Sequence, residues 1–301
     1  MRTDTMAFST SPDSGSAIRP YRPDDGPWVR ELIDADRLPG QPHCTAQKLA
    51  AAQHGALSSA GWVIPVWPQI SVLADAEDRP CGIIGYLSWT DVDTGLICWV
   101  HAREDGPALG ALLGQALAAL AHCPRIDAFA GASPGLLGPG GLPRTHRGAT
   151  HDTLVQYGFT GLRSGRYLHR GLPAEAPPAK LVADVFPCDV PPGHRLIIRE
   201  AAEPIAEAVV SAEADRTATV HWIETLPTHR RRGLGRKLLA QALALLAEQG
   251  ATEVALVLDD AQQPASESQA ATRLFHSFGF THVDQLWTYQ HRRPRAPRPG
   301  T

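Results

Sequence analysis

The sequence predicts an α+β protein made of two successive halves that share one order of elements. Three observations lead there. Each half ends in a helix, a Gly-Phe pair and a strand, LVQYGFTGLRSGRYLHR against FHSFGFTHVDQLWTYQHR. In each half, strand-like segments precede one long apolar helix, ALGALLGQALAALAHC in the first and GLGRKLLAQALALLAEQG in the second. Between the halves, prolines cluster in LPAEAPPAK (172–180) and DVPPG (189–193), which neither a helix nor a central strand accepts.

Residues 1–16 are rich in Ser, Thr, Asp and Gly without periodicity and are expected to form a disordered tail, as is the Arg/Pro-rich 292–301. A short strand around Ala17–Tyr21 leads into DGPWVRELIDADRL, apolar at helical spacing behind a capping Asp25. TAQKLAAAQHGAL repeats that pattern behind Thr45. ISVLADAEDRPCGIIGYLSW reads as strand, turn, strand, and TGLICWVHA as another strand. RIDAFAGAS is a strand behind the long helix, and HDTLVQYGF and GLRSGRYLHRGL close the half as helix and strand. Trp62, Trp67, Trp89 and Trp99 lie in apolar strands and are expected in the core or at a domain interface. GASPGLLGPGGLPRTHRG (131–148) is expected to be a mobile loop over a cleft.

In the second half, HRLIIREA, IAEAVVSAEAD and TATVHWIETL are three expected strands. The long helix, the strand TEVALVLDD, the helix SESQAATRLFHSFGF and the strand HVDQLWTYQHR follow. The boundaries read as a first domain at 17–172, a linker at 173–193 and a second domain at 194–291.

A net charge of -3 over 301 residues gives no field that argues for nucleic acid or an anionic membrane as partner, so a small-molecule or peptide partner is expected. No apolar run reaches the roughly 18 residues of a membrane span, and the N-terminus lacks a secretion pattern, so a cytoplasmic location is expected. The 5 cysteines form no CxxC pair, and no metal site is expected.

The most informative stretch is IETLPTHRRRGLGRKLLAQALALLAEQG. A strand ends at Thr225 and Leu226, Pro227 stops the ladder, and Arg230 to Gly235 form a tight turn that feeds a long helix. Such a turn aims successive backbone N–H groups and the positive end of a helix at one spot, which makes an anion site. A Cβ at Gly233 or Gly235 would hold a phosphate away from the backbone, and Arg230, Arg231, Arg232, Arg236 and Lys237 add charge around it. No GxxxxGK(S/T) is present, and GLGRKL lacks the third glycine of a dinucleotide fingerprint.

RRRGLG at 230–235 fits the (Q/R)xxGx(G/A) signature of the GNAT acetyltransferase superfamily. The TLPTH before it is similar to that family's approach from its splayed central strand, and ATRLFHSFGF at 271–280 resembles its AxxLYxxxGF helix. The resemblance covers residues 194–291 and implies two tandem GNAT-like acyl-CoA N-acyltransferase domains, the first degenerate. Each would be a mixed, mostly antiparallel sheet with flanking helices. It implies acetyl-CoA as acyl donor, with the backbone of Ile223 and Thr225 holding thioester and pantetheine and the amides of Arg231, Arg232, Gly233, Leu234, Gly235 and Arg236 holding the pyrophosphate. Arg230 opens the motif, and Ser268 and Phe275 stand where the family has an Asn and a Tyr. Phe275 has no proton to give a leaving thiolate.

The implied reaction is direct transfer of acetyl to the amine of a small molecule or peptide, by a monomer or homodimer. The alternative is a non-catalytic acyl-CoA-binding sensor or scaffold. His221 and Glu224 are the candidate bases on the splayed strand, and strict alternation puts them on opposite faces, His221 beside Ile223. Aligning the long helices puts Asp105 at the place of Arg230 and Ala108 at that of Gly233. An acid facing phosphate, together with Pro107, predicts that the first half binds coenzyme weakly or not at all.

Overall fold

A computed structural model of the chain describes residues 15–53, 56–59, 62–65, 67–89, 93–130, 140–173, 182–189, 191–212, 215–260 and 265–293. The first half runs β1 (Ala17–Pro20), α1 (Gly26–Ala35), α2 (Ala46–Gln53), β2 (Ala56–Ser59), β3 (Trp62–Pro65), β4 (Gln69–Ala74), β5 (Pro80–Trp89), β6 (Thr94–His101), α3 (Gly106–Ala119), β7 (Arg125–Ala128), β8 (Leu142–Pro143), α4 (Gly148–Gln156) and β9 (Thr160–Gly171). The second runs β10 (Asp184–Asp189), β11 (Pro192–Glu200), β12 (Glu203–Ala212), β13 (Thr217–Thr225), α5 (Leu234–Glu248), β14 (Glu253–Asp259), α6 (Ala265–Ser277) and β15 (Thr281–Arg292). Among the described residues no helix is long and apolar enough to cross a membrane.

The strands outside the β2–β3 hairpin join in one 13-stranded sheet, ordered β1-β4-β5-β6-β7-β15-β9-β14-β13-β12-β11-β10, with β8 beside β15. It is mixed and mostly antiparallel: β6–β7 and β13–β14 are its parallel pairs. The last strand of each half crosses to the other half. β15 pairs with β7 and β9 with β14, while β9 and β15 pair with each other at the centre. The Gly-Phe repeat maps Thr160 onto Thr281 and His169 onto Gln290, and the register contains both Thr281↔His169 and Gln290↔Thr160. One contact is thus seen twice, as a two-fold relation between halves requires.

The same repeat sets how α4 and α6 stop. Gly158 (φ 84°) and Gly279 (φ 81°) each take the left-handed conformation that ends a helix cheaply, and the phenylalanine after each donates its N–H back to the helix, Phe159 to Leu154 and Phe280 to Phe275. Both phenylalanines are buried.

Two cores lie under the two long helices. Leu109, Leu112, Leu113 and Ala116 of α3 pack on the first half's strands, and Leu238, Leu239, Ala242 and Leu246 of α5 on the second's. Each buried leucine contributes about 1.5–3 kcal/mol. The opposite face of the first half is covered by α1 and α2, whose Val29, Ile33 and Leu49 bury Trp99. In the second half β11 turns directly into β12 at Ala201 and Ala202, so no helix pair stands between these strands.

The fold differs from the sequence reading at four places. β10 lies within the segment read as a linker; it is an edge strand, where Pro187 forfeits no ladder bond that a second neighbour would need. Asp25 does not cap α1 with its side chain, because its carboxylate binds Arg19 and the Arg22 amide, whereas Thr45 does cap α2 through the Lys48 amide. α4 begins at Gly148, inside the stretch read as a loop, whose residues 131–139 lie outside the described ones. Trp99 is core, but Trp67 is exposed.

Candidate functional site

β13 and β14 pair only from Thr217–Val220 to Glu253–Leu256, although β13 runs on to Thr225 and β14 to Asp259. Beyond Val220 they part, and among the described residues the β13 edge that faces β14 has no strand partner. β6 and β7 do the same in the first half, pairing only from Thr94–Ile97 to Arg125–Ala128. In both halves a bulge falls just past the split: His221 is the extra residue opposite Val209/Val210, as Cys98 is opposite Gly85/Tyr86. Trp222 is therefore the counterpart of Trp99, and Glu224 that of His101.

The bulge corrects the expectation that His221 and Glu224 face opposite ways. Glu207 pairs with Glu224 and Val209 with Trp222, so these share a face with Ser211, whose Oγ lies 2.9 Å from His221 Nε2. One extra residue turns His221 away from Ile223 and onto the Trp222–Glu224 side. Ile223 instead packs towards the α5 core.

Burial of the His221 ring among neighbouring protein lowers its pKa to about 4, although part of the residue stays open to solvent, so the imidazole is neutral at neutral pH. Glu224 is exposed. Trp222, unlike its buried counterpart, is 40% exposed, its Nε1 donating to Glu207 Oε1 at 3.2 Å. The first half borders this open face: the Tyr167 hydroxyl donates to the Pro39 carbonyl at 3.0 Å, Leu38 packs on Tyr167 and Ala255, and the His43 amide donates to Asp215 at 2.6 Å.

After β13 the chain makes a one-turn 3-10 helix at Pro227–His229 and reaches α5 through two left-handed residues, Arg231 (φ 62°) and Gly233 (φ 74°). Gly233 is the N-cap of α5 and has no side chain to satisfy the first-turn amides. A Cβ there would meet nothing within 4 Å, whereas one at Gly235 would touch Leu274 at 3.5 Å. Leu234 packs on the α5 core. The loop's side chains are anchored to their surroundings. Arg230 donates to Glu267 Oε1 at 2.7 Å and to the Thr225 carbonyl at 3.2 Å, and Arg232 to Glu200 Oε1 at 2.6 Å. Arg236 donates to Ser277 Oγ at 3.0 Å. Arg232 and then His229 hold the Glu200 carboxyl down at about 2.

Two residues read as coenzyme contacts have protein partners. Ser268 Oγ accepts from Arg166 at 2.8 Å and donates to Asp260 at 2.9 Å. Phe275 is 2% exposed and packs edge-on to Phe280.

In the first half the corresponding places are filled by protein. Asp105 is the N-cap of α3 and its carboxylate accepts from the Ala108 amide at 2.8 Å. It thus occupies the position of Gly233, not of Arg230 as helix-to-helix alignment suggests, because the connection after β6 is shorter than that after β13. At the split itself, buried Arg147 donates to the Val100 carbonyl at 2.8 Å and meets Asp36 at 3.2 Å and Glu104 at 2.5 Å. Asp36 also binds His101 at 2.9 Å.

Residues 166–280 match the family model described as acetyltransferase (GNAT) family. A GCN5-related N-acetyltransferase from Sphaerobacter thermophilus is similar over 95% of this chain and 98% of its own, with TM-score 0.59 and 15% identity. A tandem GNAT protein from the clavulanic acid biosynthesis pathway is similar over 94% and 100%, with TM-score 0.61 and 12% identity. Comparison with curated proteins gives no match. The GNAT family match thus lies at residues 166–280, and the fold of these tandem structures runs along the length of the chain. Members of this family are acyl-CoA-dependent N-acetyltransferases in general.

Sequence reasoning passed over Trp222, Glu200, Glu267 and Arg166. Trp222 was within reach, since CWVHA against HWIET aligns it with Trp99. The others act across elements whose proximity no local pattern announces.

Proposed function

We propose that the second half binds acetyl-CoA and transfers its acetyl group directly to an amine, while the first half binds no coenzyme and borders the acceptor face. The observation that carries this reading is the uncapped start of α5 beside an unpaired strand edge. Open space at Gly233 and first-turn N–H groups with no capping side chain fit a pyrophosphate. The β13 edge at Ile223 and Thr225, where the Thr225 carbonyl also accepts from Arg230, fits the amides of a pantetheine arm, as an added strand would. Arg230, Arg231, Arg232 and Arg236 surround the anion with charge, Leu234 and Gly235 shape the wall, and Ser268 and Phe275 stand behind it, holding α6 in place.

The coenzyme supplies an acyl group already activated as a thioester. The chain's own residues align the partners and handle one proton. Glu224 or His221, on one face with Trp222, receives the proton of the incoming amine, directly or through water. Phe275 offers no acid, so the rate rests on alignment and on backbone donors.

Calorimetry with acetyl-CoA, followed by free-thiol release over a panel of amines, tests the reading. Saturable binding and amine-dependent thiol release are expected. Tight binding with no turnover on any amine would favour the sensor or scaffold reading.

A further inference from the structure

Arg166 belongs to β9, a strand of the first half, yet its guanidinium is engaged entirely with the second. Nε and Nη2 each reach Asp260 at 2.8 Å, Nη2 also reaches Ser268 Oγ at 2.8 Å, and Nη1 reaches Thr272 Oγ1 at 2.9 Å. Ser268 donates to the same Asp260 carboxylate at 2.9 Å, and Thr272 Oγ1 donates to the Ser268 carbonyl at 2.7 Å. The Asp260 amide donates to the Ser164 carbonyl at 3.1 Å, which ties the end of β14 to β9 as well. A planar fork that meets a carboxylate and two hydroxyls at once fixes orientation as well as distance.

What it orients is the first turns of α6. Glu267, next to Ser268, holds Arg230, and Ser277 near the end of the same helix holds Arg236. Leu274 lies 3.5 Å from where a Gly235 Cβ would be. α6 is thus fastened on one side to Arg166 and on the other to the loop that leads into α5. The Ser268 hydroxyl is already committed to protein, and Phe275 carries no polar group, so α6 serves the site through its placement.

We propose that Arg166 is a positioning residue for coenzyme binding: delivered by the exchanged strand, it sets α6 against the α5 loop and makes a first-half residue part of the second-half site. This rests on the function proposed above.

The test compares wild type with Arg166→Met, Arg166→Lys and Thr272→Val, reading acetyl-CoA affinity by calorimetry, thermal unfolding, and separate KM values for coenzyme and amine. Arg166→Met is expected to weaken coenzyme binding on the order of tenfold and to raise the coenzyme KM with the amine KM unchanged. Arg166→Lys, which restores charge without the fork, should recover part of the loss. Thr272→Val, which removes one arm, should show a smaller loss of the same sign and decides the matter if Arg166→Met does not fold. Folded Arg166→Met with wild-type coenzyme affinity overturns the proposal, as does a loss confined to the melting temperature. A wild-type protein that binds no acetyl-CoA overturns the functional reading itself.

Discussion

Asp105 and Gly233 occupy the same position in the two halves of one chain, the N-cap of the helix that follows the split strand. Asp105 turns its carboxylate back onto the Ala108 amide, while Gly233 leaves its helix uncapped. The chain thus displays two states of one helix start, self-capped and open. Gly233→Asp should convert the open one to the capped one.

That substitution is expected to weaken acetyl-CoA binding by about a hundredfold or more, since a carboxylate both occupies the donors and repels the pyrophosphate. Ala108→Asp in the first half should change it little. Calorimetry giving the reverse order would place the working site in the wrong half.

Glu224→Gln and His221→Gln are each expected to lower kcat/KM, by on the order of a hundredfold for a residue that takes the proton, with coenzyme affinity unchanged. Steady-state kinetics on the best amine found by thiol release separates the two. A variant with wild-type kcat/KM removes that residue from the mechanism.

His221 also predicts a pH effect on stability. Its pKa in the folded protein, about 4, lies below the ordinary 6.5, so between these values the unfolded chain binds the proton more readily. The contribution of neutral His221 is therefore complete above about pH 6.5 and falls away as the pH drops towards 4. Urea midpoints across that range should decline less for His221→Gln than for wild type.

Arg147→Met should destabilise the protein by about 3–5 kcal/mol, because Asp36 and Glu104 would keep buried or half-buried charges without their cation. Coenzyme affinity should persist in the fraction that remains folded. Chemical denaturation together with calorimetry measures both.

Local patterns carry much of the fold and of the turn into α5. The Gly-Phe repeat announced the duplication, and RRRGLG announced the turn into α5, because a helix stop and a tight turn depend on a few neighbouring residues. The faces of His221 and Glu224 were misread because a bulge inserts one residue without a signature of its own in HWIET. Asp105 was placed three positions from its structural counterpart because loop length, unlike helix pattern, is invisible when helices are aligned by composition. Arg166 had no signal at all. Its partners Asp260, Ser268 and Thr272 are far away in the chain, and only the crossing of β9 brings them together.

That crossing also dictates an order of events during synthesis. β7 has no outer neighbour until residues 281–292 exist, so the first half waits, with one side of its sheet bare, for the last strand to be made. Maturation of the two halves is accordingly expected as a single late event rather than two in sequence, and halves severed from one another are expected to regain their shape only in each other's company.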